Sequence, residues 1–481
     1  MRLGDYSTWR EQHHRPMDVR GLEAPRFGGR LPGVRRLVTG EPVANAPTRH
    51  PAQHGCLRQT LRGALDDLDA RDLVAAMPGC IDMRAEAAAV LAETAARYPT
   101  AEIFYCDEEI EPEDGLPMLP HFRPDWRKLD ADRLRFGRDP VFVRAGRLRT
   151  WAAQTPGRGD RQSIALHDLG PGIREAAVVH IRRPLVLRRG GAPRTAAPAL
   201  AGLVHRSNWA APRRVSIVIP TRDRVDFLRP CLDGLLHQTH ADGLEVVLVD
   251  NGSRERRTRR FYATLASESR VVVLDRPGPF NFSLLANVGA AAARSDILVF
   301  LNNDVAVIEP LWLDRLLAFA TREDVGAVGA RLIYPSGGVQ HDGVVLGIGG
   351  FAGHVQSRRP RSAWGDEDDR PRVVSAVTGA CLAVERAKFD AVGGFDAVDL
   401  PVDLSDVDLC LKLASRGWDS VLVPDCRLIH HESATRGDAW RPFTRYARER
   451  KAFRRRWGHK LANDPFFPPA LSLFSREARL A

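Results

Sequence analysis

From Val215 onward, four continuous apolar runs (VSIVIP, LEVVLVD, VVVLD and ILVFLNND) alternate with helical segments such as DFLRPCLDGLLHQ and SLLANVGAAAARS. Strands that are apolar at every position, not at every second one, must be covered on both faces, which helical crossovers on a largely parallel sheet provide. This pattern predicts an α/β fold with a mostly parallel sheet. In such sheets ligands bind beyond the carboxyl ends of the strands. The polar residues that end these runs are therefore the first candidates for function: Thr221, Asp223, Asp250, Asn302, Asn303 and Asp304.

The 481 residues allow about two to four domains. An apolar share of 44% and a charged share of 27% exclude wholesale disorder and a multispan membrane protein. Residues 1–58 are rich in Arg, Pro, Gly and His without apolar periodicity, so a disordered or loosely packed arm is expected there. Residues 59–190 read as globular: an Ala-rich helix lies in Met83–Arg97, then a strand in AEIFYC and an acidic turn at Asp107-Glu108-Glu109. A Gly/Ala/Pro-rich linker, 191–212, leads to the domain that starts at 213.

Seventy Lys and Arg against sixty Asp and Glu give a net charge of +10, compatible with an anionic partner or with a plain solvated surface. The seven cysteines, Cys56, Cys80, Cys106, Cys231, Cys381, Cys410 and Cys426, are scattered and never form C-x-x-C. That argues against a disulfide framework or a zinc ribbon and for a reducing, cytoplasmic compartment. The opening MRLGDYSTWREQHHRP has no apolar core, and no run approaches the roughly 18 apolar residues of a spanning helix, so neither a secretory leader nor membrane insertion is expected.

Asp250 leads into Asn251-Gly252-Ser253, where a carboxylate can face a ribose or base and the glycine admits close backbone approach; a plain Asn-Gly turn is the alternative. Asn302 and Asp304 offer oxygen ligands to Mg²⁺ or Mn²⁺, with a substrate diphosphate supplying the remaining ligands. In SDVDLCLK, Asp406 and Asp408 open an amphipathic helix; one suits the first turn of the helix and the other a general base. His430 and His431, at the end of VLVPDCRLIHH, either complete a metal site or bond a loop. The stretch from Gly347 to Ala352 fits G-x-G-x-x-A, but HVQSRRPRSAW follows it and cannot open a phosphate-binding helix, so a dinucleotide site is rejected.

Read in order, VSIVIPTRDR, EVVLVDNGS, FNFSLLANVGAAAA, LVFLNND, GGVQHDGVVLGIGGFAGH, TGACLAV, VGGFD, SDVDLCLKLASRG and HHESATRGD resemble the family 2 glycosyltransferases of GT-A fold. The likeness is closest to rhamnosyltransferase-like bacterial enzymes of cell-surface polysaccharide synthesis. It implies transfer of a sugar, with inversion, from a nucleotide diphospho-sugar donor to a hydroxyl of a glycan or lipid-linked acceptor, with a divalent metal as cofactor. By the same resemblance Pro220, Thr221, Asp223, Asp250, Asn287 and Asn303 fall on the donor side. Asn302, Asp304 and His430 fall on the metal, Asp406 on the catalytic base, and Gly379 and Asp396 on the acceptor side. Asn302 and Ser405 depart from the acids usual there, and a neutral amide holds a divalent ion less strongly than a carboxylate.

The region from AEIFYCDEEIEPEDG to IRRPLVLRR resembles the later half of an additional GT-A domain, with Met77-Pro78-Gly79-Cys80 where a metal motif would stand. It is expected to be a degenerate, structural or acceptor-binding module in which the acidic run is a vestige. The catalytic domain is expected over 213–440. A basic helical extension over 441–481 follows; it either covers the domain or docks at the inner face of the plasma membrane. No nucleic-acid partner is expected. The rival reading is a non-catalytic glycan- or nucleotide-binding scaffold.

Overall fold

The computed structural model describes residues 33–39, 61, 65–111, 118–127, 134–154, 163–169, 173–189, 214–240, 243–354, 370–431 and 446–473. They fall into two compact units, 33–189 and 214–473. The predicted linker lies outside the described residues.

The first unit contains β1 (Val34–Thr39), β2 (Leu73–Pro78), β3 (Ile81–Met83), α1 (Ala87–Arg97), β4 (Ile103–Glu111), β5 (Leu119–His121), β6 (Arg135–Phe136), β7 (Val141–Arg144), α2 (Ala145–Gln154), β8 (Ile164–Ala165) and β9 (Val178–Arg189). Its main sheet has the order β1-β2-β7-β4-β9-β3, with β5 beside β4; β6 and β8 pair separately.

Two expectations change here. The segment expected to be an arm contributes β1, whose Val34–Thr39 lies parallel to Leu73–Pro78 in full register; alternation of Val, Arg and Leu was too short a signal against its Gly- and Pro-rich surroundings. The acidic run is not a turn either. Asp107, Glu108 and Glu109 continue β4 and are buried. Burial of three carboxylates is tolerated because cations meet them: Arg123 and Arg188 bond the two oxygens of Glu108 at 2.6 and 2.8 Å, and Arg84 pairs with Glu109. His180 sits between Asp107 (3.1 Å) and Asp125 (3.0 Å), its ring stacked on Tyr105. The run is thus part of a buried ionic core.

The second unit runs β10 (Val215–Thr221), α3 (Val225–Asp233), β11 (Leu244–Asp250), α4 (Arg256–Leu265), β12 (Val271–Asp275), α5 (Phe282–Ala292), β13 (Ile297–Leu301), β14 (Val305–Val307), α6 (Trp312–Ala320), β15 (Val325–Ile333), β16 (Val339–His341), β17 (Val344–Leu346), β18 (Ala352–His354), β19 (Arg372–Val374), β20 (Cys381–Glu385), α7 (Arg386–Ala391), α8 (Ser405–Ala414), β21 (Asp419–His430) and α9 (Ala447–Trp457). The sheet order is β12-β11-β10-β13-β20-β15-β21-β14. The four apolar runs form its parallel half; β10, β11 and β13 are buried as their apolarity requires, whereas β12, at the edge, has no buried residue although its run is equally apolar. Beyond β13 the sheet is mixed, because β20 runs antiparallel to both β13 and β15.

Helix α5 is capped by Asn281, whose side chain accepts from the Leu284 amide at 2.9 Å. It lies close on the sheet because residue 289 is glycine; a Cβ there would meet Val218 Cγ1 at 2.3 Å. On the same core, Phe300 packs against Phe389 and Phe395, with ring centroids 5.2 and 4.8 Å away.

The C-terminal basic segment is no appendage. Phe453, Trp457 and Leu461 belong to that same core, each large side chain contributing roughly 1.5–3 kcal/mol by burial. Its arginines face acids of the second unit: Arg450 bonds Asp403 at 2.8 Å, and Arg456 bonds Asp396 and Asp408, each at 2.7 Å. Glu449 accepts from the amides of Val402 and Asp403. The stretch Gly347–Ala352 is the turn between β17 and β18. Gly347, Gly349 and Gly350 all have positive φ there, and a side chain at 347 would strike the Leu461 carbonyl, so the glycines serve a tight turn and not a phosphate.

Candidate active site

Strands β10, β11 and β12 end side by side at Thr221, Asp250 and Asp275, since Thr221 pairs with Asp250 and Asp250 with Asp275 in the parallel ladder. Pro220 is buried just before this edge, two residues past the last β10 residue that pairs with β13, where a missing N–H is tolerated. A cavity of about 700 Å³ opens here, lined among others by Arg222, Asp250, Asn251, Arg254, Tyr262 and Asp275.

Its floor is a closed set of hydrogen bonds. Asp250 Oδ1 accepts from the Ser253 hydroxyl and from Tyr262 Oη (3.0 Å), and Oδ2 accepts from the Ser253 amide (3.0 Å). Ser253 Oγ accepts in turn from the Asp223 amide at 2.7 Å. Asp223 Oδ1 receives the amides of Arg254 and Glu255, at 2.7 and 2.8 Å, and so ties the end of β10 to the turn that leads into α4. Gly252 has φ +74°, and a Cβ there would sit 3.0 Å from Pro277, which explains the Asn-Gly pair inside this turn.

The second group of residues gathers where β14 meets β21. Antiparallel pairing puts Val305 opposite His430, which brings His430 beside the preceding Asp304. His430 Nε2 lies 3.2 Å from Asp304 Oδ1 and 3.2 Å from Asn302 Nδ2. The other ring nitrogen, Nδ1, is 2.6 Å from Gln340 Oε1. An amide oxygen can only accept, so Nδ1 is the donor to Gln340, and the Nε2 lone pair accepts from the Asn302 Nδ2–H with the Asp304 carboxylate beside it. The imidazole nitrogen, one carboxylate and the Asn302 amide fit a divalent ion of the Mn²⁺ type, with the rest of its shell supplied from outside the chain. Among the described residues no group of three His, Cys, Asp or Glu side chains forms a closed metal cage. His431 donates its amide to the Asp304 carbonyl at 3.0 Å and packs its ring by Phe227, so the neighbour of His430 is a structural residue.

Asp406 stands at the start of α8. Its Oδ2 accepts from the Gly379 amide at 2.8 Å and its Oδ1 from the Val407 amide at 2.9 Å, and no cation pairs with it among the described residues. Asp408 is the opposite case: fully buried, it accepts from Arg456 and from the Trp457 indole at 2.9 Å and pairs with Lys412. The two acids left open by the sequence thus separate, Asp408 holding α9 and Asp406 bonded only by backbone amides among the described residues. Gly379 brings Asp406 next to the metal-side group, because the next residue, Ala380, accepts the Asn302 amide at 3.1 Å. A Cβ at 379 would crowd the Phe282 ring at 3.3 Å and Asp406 Cβ at 3.4 Å.

Three non-glycine residues among those described have a left-handed backbone: Asp223 (φ 52°), Arg224 (φ 55°) and Leu404 (φ 61°). Each costs roughly 1–2 kcal/mol, and each flanks a candidate site residue, the pattern of strain held in place by its surroundings.

Two residues assigned to ligands are occupied elsewhere. Asn287 uses both ends of its amide on the Phe395 peptide, at 3.0 and 2.8 Å, because it clasps the turn around Gly394 to α5. Asp396 spends one oxygen on the Val398 and Asp399 amides and the other on Arg456, and these partners hold its carboxyl below the usual range although burial alone would raise it. Asn303 is buried and donates to Thr221 Oγ1 at 3.0 Å. Sequence reasoning missed Asp275, Tyr262 and Gln340. Asp275 carried the same strand-ending signal as Asp250, whereas Tyr262 inside a basic helix and Gln340 inside the three-residue β16 carried none.

A curated relative from Sinorhizobium fredii, itself uncharacterised, is 35% identical over 427 residues, covering 78% of this chain and 46% of the relative. An O-antigen biosynthesis protein of Myxococcus xanthus is 34% identical over 431 residues, covering 81% of this chain and 33% of that protein. An N-acetylglucosaminyl-diphospho-decaprenol L-rhamnosyltransferase of Mycobacterium tuberculosis is 33% identical over 135 residues, 26% of this chain and 44% of that enzyme. The chain thus spans less than half the length of these relatives. Residues 216–367 match the family model described as glycosyl transferase family 2. Residues 216–367 thus carry a family 2 glycosyltransferase domain, and the second unit that holds them is built on a mixed α/β sheet of GT-A type.

Proposed function

We propose that the chain transfers a sugar, with inversion at the anomeric carbon, from a nucleotide diphospho-sugar to a hydroxyl of a glycan or lipid-linked acceptor in cell-surface polysaccharide synthesis. The observation that carries this reading is Asp406: a carboxylate without a cationic partner among the described residues, fixed by the Gly379 amide one residue from the contact between Ala380 and the loop of Asn302 and Asp304. An acceptor hydroxyl must lose its proton as it attacks, and a single positioned carboxylate serves as the base. Retention by a double displacement would ask for a second, nucleophilic carboxylate close by, whereas Asp408 is tied to Arg456 and Trp457.

The cavity at the ends of β10 to β12 is the donor pocket, its arginines facing the anionic nucleotide. Asn302, Asp304 and His430 would hold the divalent ion, which when bound offsets the charge that develops on the departing nucleoside diphosphate. The names of the Myxococcus and Mycobacterium relatives favour an envelope glycan acceptor.

The test is binding and turnover with a panel of nucleoside diphosphates and their sugars in Mn²⁺, Mg²⁺ and EDTA, with the anomeric configuration of any product read by NMR. Metal-dependent stabilisation by one nucleotide and an inverted product support the reading. A chain that binds glycan and no nucleotide would instead be the scaffold.

A further inference from the structure

Two histidines outside the sites described so far meet the turn that holds Asp406. His341 ends β16 and His354 ends β18. Their rings pack edge to face, with centroids 4.9 Å apart and planes at 89°, and their Nδ1 atoms are 3.0 Å apart. The other nitrogen of His341, Nε2, accepts from the Thr378 amide at 3.4 Å. The same two stretches of chain are clasped a second time, where Val344 donates its amide to the Ala376 carbonyl at 2.9 Å. In the turn Thr378-Gly379-Ala380 each residue is thus held by a different group: Thr378 by His341, Gly379 by Asp406 at 2.8 Å, and Ala380 by the Asn302 amide at 3.1 Å. A backbone N–H can only donate, so His341 Nε2 carries a lone pair and, in the neutral ring, Nδ1 carries the proton. That proton goes to His354 Nδ1, which places the proton of a neutral His354 on its Nε2. Burial holds His341 well below the usual histidine range, and His354, Arg372 and His430 act in the same sense against Asp342, so the ring keeps the form that can accept from Thr378.

We propose that His341 is a positioning residue for Asp406: its imidazole, set in one tautomer by His354, anchors the chain one residue before the Gly379 amide that fixes the carboxylate. This rests on the transferase reading given above, in which Asp406 is the base. An amide that aims a carboxylate is only as well placed as the chain that carries it, and displacing a reacting group by about 1 Å can cost roughly 10²-fold in rate. None of His341, His354 and Thr378 lines the nucleotide pocket, so the effect falls on turnover and not on nucleotide binding.

The experiment measures, on the full chain, release of nucleoside diphosphate from UDP-glucose, GDP-mannose and dTDP-rhamnose in Mn²⁺, with a bacterial glycolipid extract as acceptor. Calorimetry gives the Kd for UDP, GDP and dTDP, and melting points report folding. His341→Gln sets an amide oxygen near the place of Nε2 and can still accept from Thr378, whereas the shorter His341→Asn reaches only the place of Nδ1. The expected result is a fall in kcat of about ten-fold in His341→Asn, the upper end for one neutral hydrogen bond, and recovery to within about three-fold of wild type in His341→Gln. The Kd for nucleotide stays in place in both. Wild-type kcat in folded His341→Asn overturns the proposal, and so does a His341→Gln that is no better than His341→Asn or a loss that lies in nucleotide Kd. His354→Phe keeps a ring against His341 but removes the nitrogen that accepts from it. Its kcat should fall in the same direction, and it decides the case in which His341→Asn does not fold; wild-type kcat there overturns the tautomer role of His354. A wild type that releases nothing from any of the three donors fails at the earlier step, the transferase reading itself.

Discussion

At the scale of single residues, the site depends on which oxygen of which acid is already used. Asp406 and Asp408 are two positions apart on one helix, yet among the described residues only the second has its charge met by a cation. Asp406→Asn keeps the shape and removes the base, so transfer is expected to fall about 10²–10⁴-fold with nucleotide affinity unchanged; turnover near the wild-type rate would exclude the role. Gly379→Ala adds a methyl group against Phe282 and Asp406 and should lower kcat several-fold while leaving the Kd for nucleotide in place, which steady-state kinetics and calorimetry separate. The motif order singled out Asp250, Asp304 and Asp406 as candidates. What it did not reveal was occupancy: that Asn287 spends its amide on Phe395, 108 residues on, and Asp396 one oxygen on Arg456, 60 residues on, follows from long-range contacts that no local pattern encodes.

Among elements, the parallel half of the sheet was legible because strands buried on two faces leave an uninterrupted apolar record. The mixed half was not, since β14, β16 and β19 are three residues each and take their partners from distant β21 and β15. Helix α9 carried a readable signal in Phe453 and Trp457, four apart on one face, but seven of its other nine residues are charged and suggested a solvated surface. Three measurements follow. Trp457→Ala should cost about 3–5 kcal/mol in urea unfolding, since it empties part of the core and removes a donor from Asp408. A chain ending at residue 440 should melt well below the full one, because the Asp408 carboxylate stays buried without its arginine; an equal melting point would show α9 to be dispensable. Gly289→Ala tests the seat of α5: with Val218 Cγ1 at 2.3 Å from the added carbon, a loss of about 1–3 kcal/mol is expected.

For the molecule as a whole, the first unit is sensitive to pH in both directions. Burial alone would lower the His180 pKa, yet its bonds to Asp107 and Asp125 raise it. Its contribution to stability is therefore complete below the ordinary histidine range, near 6.5, and fades as pH rises through the raised folded value. Glu108 works in the other direction: burial would raise it, but Arg123, His121 and Arg188 hold it well below the usual range, so its contribution is present above about pH 4.5 and is lost on acidification. Thermal melts of the full chain between pH 4 and 9 should show the transition of the first unit moving down at both ends, and His180→Gln should flatten the alkaline slope alone.

The union of α8 and α9 has a consequence in time. Arg456 of α9 meets the buried Asp408 from 48 residues further along the chain, beside the local Lys412, so α8, which bears Asp406, gains its full set of contacts only after residue 457 has been made. The cavity at the ends of β10 to β12 is lined by residues 222–278 and is made earlier in synthesis. A nascent chain therefore completes the walls of the cavity before it fixes α8.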